Sequence, residues 1–221
     1  MLSRGSCFAV RDDNKLTTFL FSAHVAAPYQ FLDLYPNARD WLEFVRPEHV
    51  KVFVECWKDD ESARTFEIGS LRKHVSRDVA CGVLCNEPTD FAFNPMKLNR
   101  NVEIGSFSDI ICEGHNIVDD KNVPEQHIVS GRSFFRTDHQ LFLSTDDVLP
   151  HGMCGGPVIS DKDNSVLLGL TEGSIPIGTI SEDTHGEIGK LLHDKHGAVC
   201  IESRDLYDLI MEKDGCFEYL R

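Results

Sequence analysis

The sequence predicts an all-β protein in two halves, each of about six short antiparallel strands, with a single helix near the C-terminus. Three observations carry this. Short β-prone runs recur along the chain, separated by clusters of Asp, Asn, Gly and Pro. A stretch at 87–101, with two prolines and Asn99-Arg100-Asn101, breaks that rhythm near the middle. Segment 203–213 has helical spacing, with Leu206, Leu209 and Ile210 on one face and Ser203 as an N-cap.

In order, residues 5–11 (GSCFAVR) and 16–23 (LTTFLFSA) read as two strands joined by the hairpin signal Asp12-Asp13-Asn14-Lys15. His24 then falls at a strand end, facing a cleft. Segment 28–49 is less strand-like and reads as an insertion, with a short helix over Ala38 to Phe44. Residues 50–57 (VKVFVECW) alternate well, and 64–71 and 78–85 follow as strands. The proline-rich stretch sets the division at 1–93 and 94–221. Strands are then expected at 109–113, 126–135, 140–144, 156–160, 166–171 and 198–202, with Asp161 to Asn164 as a hairpin turn. No internal repeat and no low-complexity segment is present.

Composition narrows the function classes. Apolar residues at 41% and charged residues at 26% are those of an ordinary globular protein. No apolar run approaches the roughly 20 residues of a membrane helix. The N-terminal MLSRGSCFAV lacks the apolar core of a secretory signal, so an intracellular, cytoplasmic location is expected, with no membrane partner. A net charge of −14 without any Lys/Arg cluster excludes a phosphate-backbone partner, so no nucleic acid is expected. The acidity reads first as solubility and second as a preference for basic substrates. Eight cysteines form an even count that invites disulfides, but most lie in apolar strand-like runs, and reduced thiols are expected. Cys81 and Cys85 have neither a zinc spacing nor a second ligand pair, and no metal or organic cofactor is expected.

The chemistry concentrates in His151-Gly152-Met153-Cys154-Gly155-Gly156-Pro157, with the apolar Val158-Ile159 behind it. Glycines on both sides of a thiol let the backbone turn sharply and bring N–H groups close to a ligand atom. Far upstream lie Ser22-Ala23-His24-Val25-Ala26 and Arg77-Asp78-Val79-Ala80. A histidine can activate a thiol, and an aspartate can orient the histidine through its second ring nitrogen. Asp90-Phe91-Ala92 repeats the Asp-apolar-Ala pattern, but among prolines, where a turn role is the ordinary reading. His74, His115 and His151 have no comparable setting and read as surface or loop residues.

The order His, Asp, nucleophile, with SAHVA, RDVA and GMCGGPV around them, resembles the chymotrypsin-like protease superfamily, in its minimal HtrA/Deg-like form. Its usual local patterns are TAAHV, DLAL or DIAL, and GNSGGP or GDSGGP. The nucleophile departs from the pattern: Cys154 stands where serine is usual, as in picornaviral cysteine proteases with their GxCGG loop. The resemblance implies two six-stranded β-barrels with a C-terminal helix. It also implies an endopeptidase acting on peptide or protein substrates, with His24, Asp78 and Cys154 as triad and the N–H groups of Gly152 and Cys154 as oxyanion hole. Met153 replaces the usual Asp or Asn, which puts the device that fixes this loop in question. Aligning on Cys154 implies Val148 near the base of the primary pocket, Thr171, Glu172 and Gly173 along its wall, and His151 as a further substrate contact. Val148 suggests an apolar or small side chain there. Two other readings stay open: a catalytically silent, peptide-binding homologue, and a serine exchanged for cysteine.

Overall fold

A computed structural model describes residues 2–11, 17–58, 62–86, 88, 90–102, 104–105, 107–118, 123–138, 140–175, 196–211 and 216–220. The expected hairpin turn Asp12 to Lys15 lies outside them. The strands are β1 (Cys7–Arg11), β2 (Thr17–Phe21), β3 (Val52–Lys58), β4 (Ser62–His74), β5 (Ala80–Leu84), β6 (Met96–Lys97), β7 (Asp109–Asn116), β8 (Glu125–Arg136), β9 (Leu141–Thr145), β10 (Pro157–Ser160), β11 (Leu167–Ile175), β12 (His196–Glu202) and β13 (Phe217–Tyr219). Helices are α1 (Ala23–Ala26), α2 (Arg39–Leu42) and α3 (Ser203–Met211), with 3₁₀ turns in the insertion.

The fold is the expected all-β double barrel with a C-terminal helix. The first sheet runs β13-β4-β5-β2-β1-β6, with β3 on the far edge of β4. The second closes as a barrel, β10-β11-β12-β9-β8-β7. Two short strands escape the sequence reading: β6, which pairs in parallel with Val10 and Arg11, and β13, which pairs with Arg72 to His74. Strands of two or three residues carry too little alternation to be read locally. Their ladders come from the neighbours.

Alternation explains how the halves hold together. In β1, Phe8 and Val10 enter a core shared with Ile159, Leu170, Ile201 and Leu206, while Cys7 and Ala9 face the first sheet's own core. In β2, Leu20 enters the shared core and Phe19 and Phe21 the other. The barrel does the same from its side: Ile159 and Ile201 face the shared core, Val158 and Cys200 the barrel interior. Both faces of these strands are buried, and each large side chain contributes roughly 1.5–3 kcal/mol. The shared core therefore docks the end of β2 against the loop that precedes β10.

Two local expectations change. His24 is not at a strand end but on the single turn α1 that follows β2. Ser203 is the first residue of α3 rather than its cap; its buried hydroxyl has no hydrogen-bond partner among the described residues. Among these residues no helix is long and apolar enough to cross a membrane.

Candidate active site

Register brings the first pair together. Antiparallel pairing of Phe21 with Ala80 puts Asp78, just ahead of β5, beside the start of α1. Both Asp78 oxygens are used: Oδ1 accepts the His24 backbone N–H at 2.8 Å and Oδ2 meets His24 Nδ1 at 2.5 Å. Against a carboxylate, Nδ1 carries the proton, which leaves Nε2 for other chemistry. Burial opposes the charged imidazolium, but hydrogen bonds and charge from Asp78 and Cys154 outweigh it and raise the His24 pKa to about 9. Tyr35 donates from its hydroxyl to the His24 carbonyl at 3.0 Å, and the Phe31 ring lies edge-on to the imidazole.

His74 proves to be part of the support for this pair. It is 7% exposed at the end of β4, not a surface residue. Its Nδ1 accepts the N–H groups of Ser76 at 3.2 Å and Arg77 at 2.9 Å, and its own N–H donates to Val79 O at 2.8 Å. These bonds pin the turn that presents Asp78. Burial, then the charges of Arg77 and Lys73, lower its pKa and keep the ring neutral, as an acceptor must be.

The nucleophile loop is shaped by Gly152 (φ +102°) and Gly155 (φ +89°), both in the left-handed region. A Cβ on Gly155 would run into Ser6 O and lie 2.9 Å from Ser22 N, so the loop reaches the first sheet only without a side chain there. Gly155 N–H donates to Thr171 O and Thr171 N–H to Gly156 O, each at 2.8 Å, clamping the loop on β11. Met153, 1% exposed, plugs into the barrel core. An apolar anchor thus holds the position where the resemblance led one to expect Asp or Asn. His151 O accepts from Ile117 N–H at 2.8 Å. Because the peptide is trans, the Gly152 N–H points the other way. Neither that N–H nor the Cys154 N–H has a hydrogen-bond partner among the described residues.

A segment that the sequence reading did not single out braces this loop from behind. Ser6, 3% exposed, donates its N–H to Cys154 O at 3.0 Å and its hydroxyl to Gly152 O at 2.8 Å, and accepts His115 N–H at 2.9 Å. Ser3 and Tyr35 share a hydrogen bond of 3.0 Å, continuing the brace to the histidine side. A serine immediately before a strand carries no local sign of such a role.

A cavity of about 260 Å³ opens beside Cys154, walled by Leu149, Pro150, His151, Thr171 and Gly173. Val148 does not line it: this residue is 50% exposed, with its N–H on Asp147 Oδ1. Leu149 takes that place. Glu172 does not line it either; its carboxylate accepts from Gln140 Nε2 at 2.7 Å and feels the charges of Asp78, Arg77 and His24. Asp90 is exposed and pairs with Arg64 at 2.6 Å.

No protein-family model and no curated protein matches the chain. Among solved structures it is similar to Rv3671c from M. tuberculosis H37Rv, an inactive serine-to-alanine mutant: TM-score 0.53 and 14% identity, over 94% of this chain and 80% of that one. It is also similar to the apo MamO protease domain of Magnetospirillum magneticum: TM-score 0.52 and 10% identity, over 96% of both chains. At such identities the likeness establishes the fold, that of trypsin-like protease domains.

Proposed function

We propose that the chain is an endopeptidase of the chymotrypsin-like fold with a cysteine nucleophile. The observation that carries this is His24, held by both oxygens of Asp78 and raised in pKa by Asp78 and Cys154 together. In this reading the Cys154 thiolate attacks a peptide carbonyl carbon and the oxygen takes the negative charge. The Gly152 and Cys154 N–H groups stabilise that oxyanion, each typically worth about 2.7–4 kcal/mol at the transition state. Collapse breaks the C–N bond as protonated His24 gives its proton to the leaving amine, and a thioester remains. Water, deprotonated by His24, then releases the acid and restores the thiol. Asp78 orients the imidazole throughout. The halves meet near 93/94, although β6 and β13, from beyond that point, join the first sheet. The cavity beside Cys154, with Leu149 and Pro150 in its wall, suits a small or apolar side chain.

The test is cleavage of a diverse peptide pool by the native chain, Cys154→Ala and Cys154→Ser, read by mass spectrometry. Cuts by the native chain that vanish in Cys154→Ala are expected. No cuts from a folded native chain would favour a silent, peptide-binding homologue, and cuts only by Cys154→Ser a serine-type site.

A further inference from the structure

The candidate active site holds an acidic side chain that the proposed chemistry does not use. In β11, Thr171 pairs with Cys200 and Gly173 with Val199, so Glu172 is an extra residue in the ladder. A bulge of this kind re-aims a side chain. Here Thr171 and Gly173 wall the cavity beside Cys154 while Glu172 is excluded from it. Its carboxylate is bound by a neutral donor, Gln140 Nε2. The nearby Arg77 guanidinium is engaged by Asp205 at 2.8 Å. A half-buried acid thus sits on the bulge between the two residues that wall the cavity, turned away from it, in a chain of net charge −14.

An incoming peptide has an edge to follow. The β10 ladder on β11 stops at Leu170, and Thr171 is taken by Gly155 and Gly156. From Gly173 to Ile175, β11 pairs only with β12 among the described residues. An extended segment laid on this edge presents successive side chains to opposite sides. If one enters the cavity beside Cys154, the residue before it turns away from the cavity, to the side to which the bulge turns Glu172.

We propose that Glu172 determines specificity, selecting a lysine or arginine immediately N-terminal to the residue whose carbonyl Cys154 attacks. The inference rests on the peptidase reading above. The experiment takes a peptide that the native chain cuts and remakes it with Lys, Arg, Gln or Glu at that position. For the native chain, kcat/KM for Lys and Arg exceeds that for Gln by about tenfold or more, the scale of a charge-assisted hydrogen bond. In Glu172→Gln the ratio falls to within about twofold, and in Glu172→Lys it inverts in favour of Glu. Glu172→Asp, which keeps the charge on a shorter arm, retains part of the preference and serves if the other variants do not fold. A native Lys-to-Gln ratio near one, or one unchanged in folded Glu172→Gln, overturns the assignment while leaving the peptidase reading intact. A native chain that cuts nothing overturns both.

Discussion

The Ser6 hydroxyl donates to the Gly152 carbonyl oxygen at 2.8 Å, across 146 positions of sequence. With the Ser6 N–H on Cys154 O, it grips the loop on either side of Met153 and fixes the peptide planes whose neighbours face the cleft. Ser6→Ala removes the hydroxyl and leaves a buried carbonyl and the His115 N–H without a partner, at a cost of about 1–3 kcal/mol. In the peptidase reading, kcat falls by about tenfold or more while KM changes little, since misplacing an oxyanion donor is felt mainly in the transition state. Thermal unfolding and steady-state kinetics on the same preparation separate the two effects.

Asp78 and Asp90 give a direct contrast. Asp78 is half-buried against His24, whereas Asp90 is exposed with Arg64. Asp78→Asn is expected to lower kcat/KM on the order of 10²-fold, the scale of positioned acid–base catalysis. Asp90→Asn leaves it within about twofold, because exposed ion pairs contribute little. A larger loss in Asp90→Asn than in Asp78→Asn would reassign the acid.

Much of this was legible in the sequence because it is periodic or compositional. Alternating runs such as VKVFVECW mark strands, and glycines around a thiol mark a tight loop. The long-range partnerships were not legible. Ser6 and Tyr35 act through hydrogen bonds to groups that only the fold brings near, and His74 through a local turn that shows its use only once Asp78 meets His24. The assignment of Val148 to the pocket failed by one residue in an irregular loop, where no strand or helix period fixes which side chain faces the cavity. Glu172 fell outside the cavity for the related reason that a bulge shifts the ladder between Thr171 and Gly173.

Thiol reactivity separates Cys154 from its neighbours. Burial pushes Cys7 and Cys112 up to about 12, and Cys200 well above the ordinary thiol range, so these three remain protonated and slow at neutral pH. Cys154 is the thiol whose interaction with His24 helps to raise the imidazole's pKa. With limiting iodoacetamide at pH 7, peptide mapping should find Cys154 alkylated first, ahead of the exposed Cys85 and Cys216. Asp78→Asn should slow it, by weakening the imidazolium. Equal labelling of Cys154 and Cys85 in the native chain would mean that His24 does not activate the thiol.

The raised His24 pKa also makes folding stability depend on pH, in a direction that can be worked out. The folded histidine holds its proton to about 9, while an unfolded one releases it near 6.5. Below pH 6.5 both states are protonated and the full stabilisation is present. As pH rises from there towards 9 the unfolded chain loses the proton first, so the free energy of unfolding falls, by on the order of 3 kcal/mol if this group acts alone. Beyond the folded pKa no further change comes from His24. Urea unfolding at pH 6, 7.5 and 9 should therefore give a falling midpoint, at an unchanged slope. Asp78→Asn removes the largest support for the imidazolium and should flatten the decline, and Cys154→Ala should flatten it partly. In the peptidase reading, kcat/KM should also drop above about pH 9, where the leaving amine no longer finds a protonated imidazole. A midpoint that stays constant across this range would show that His24 carries no extra proton in the folded state.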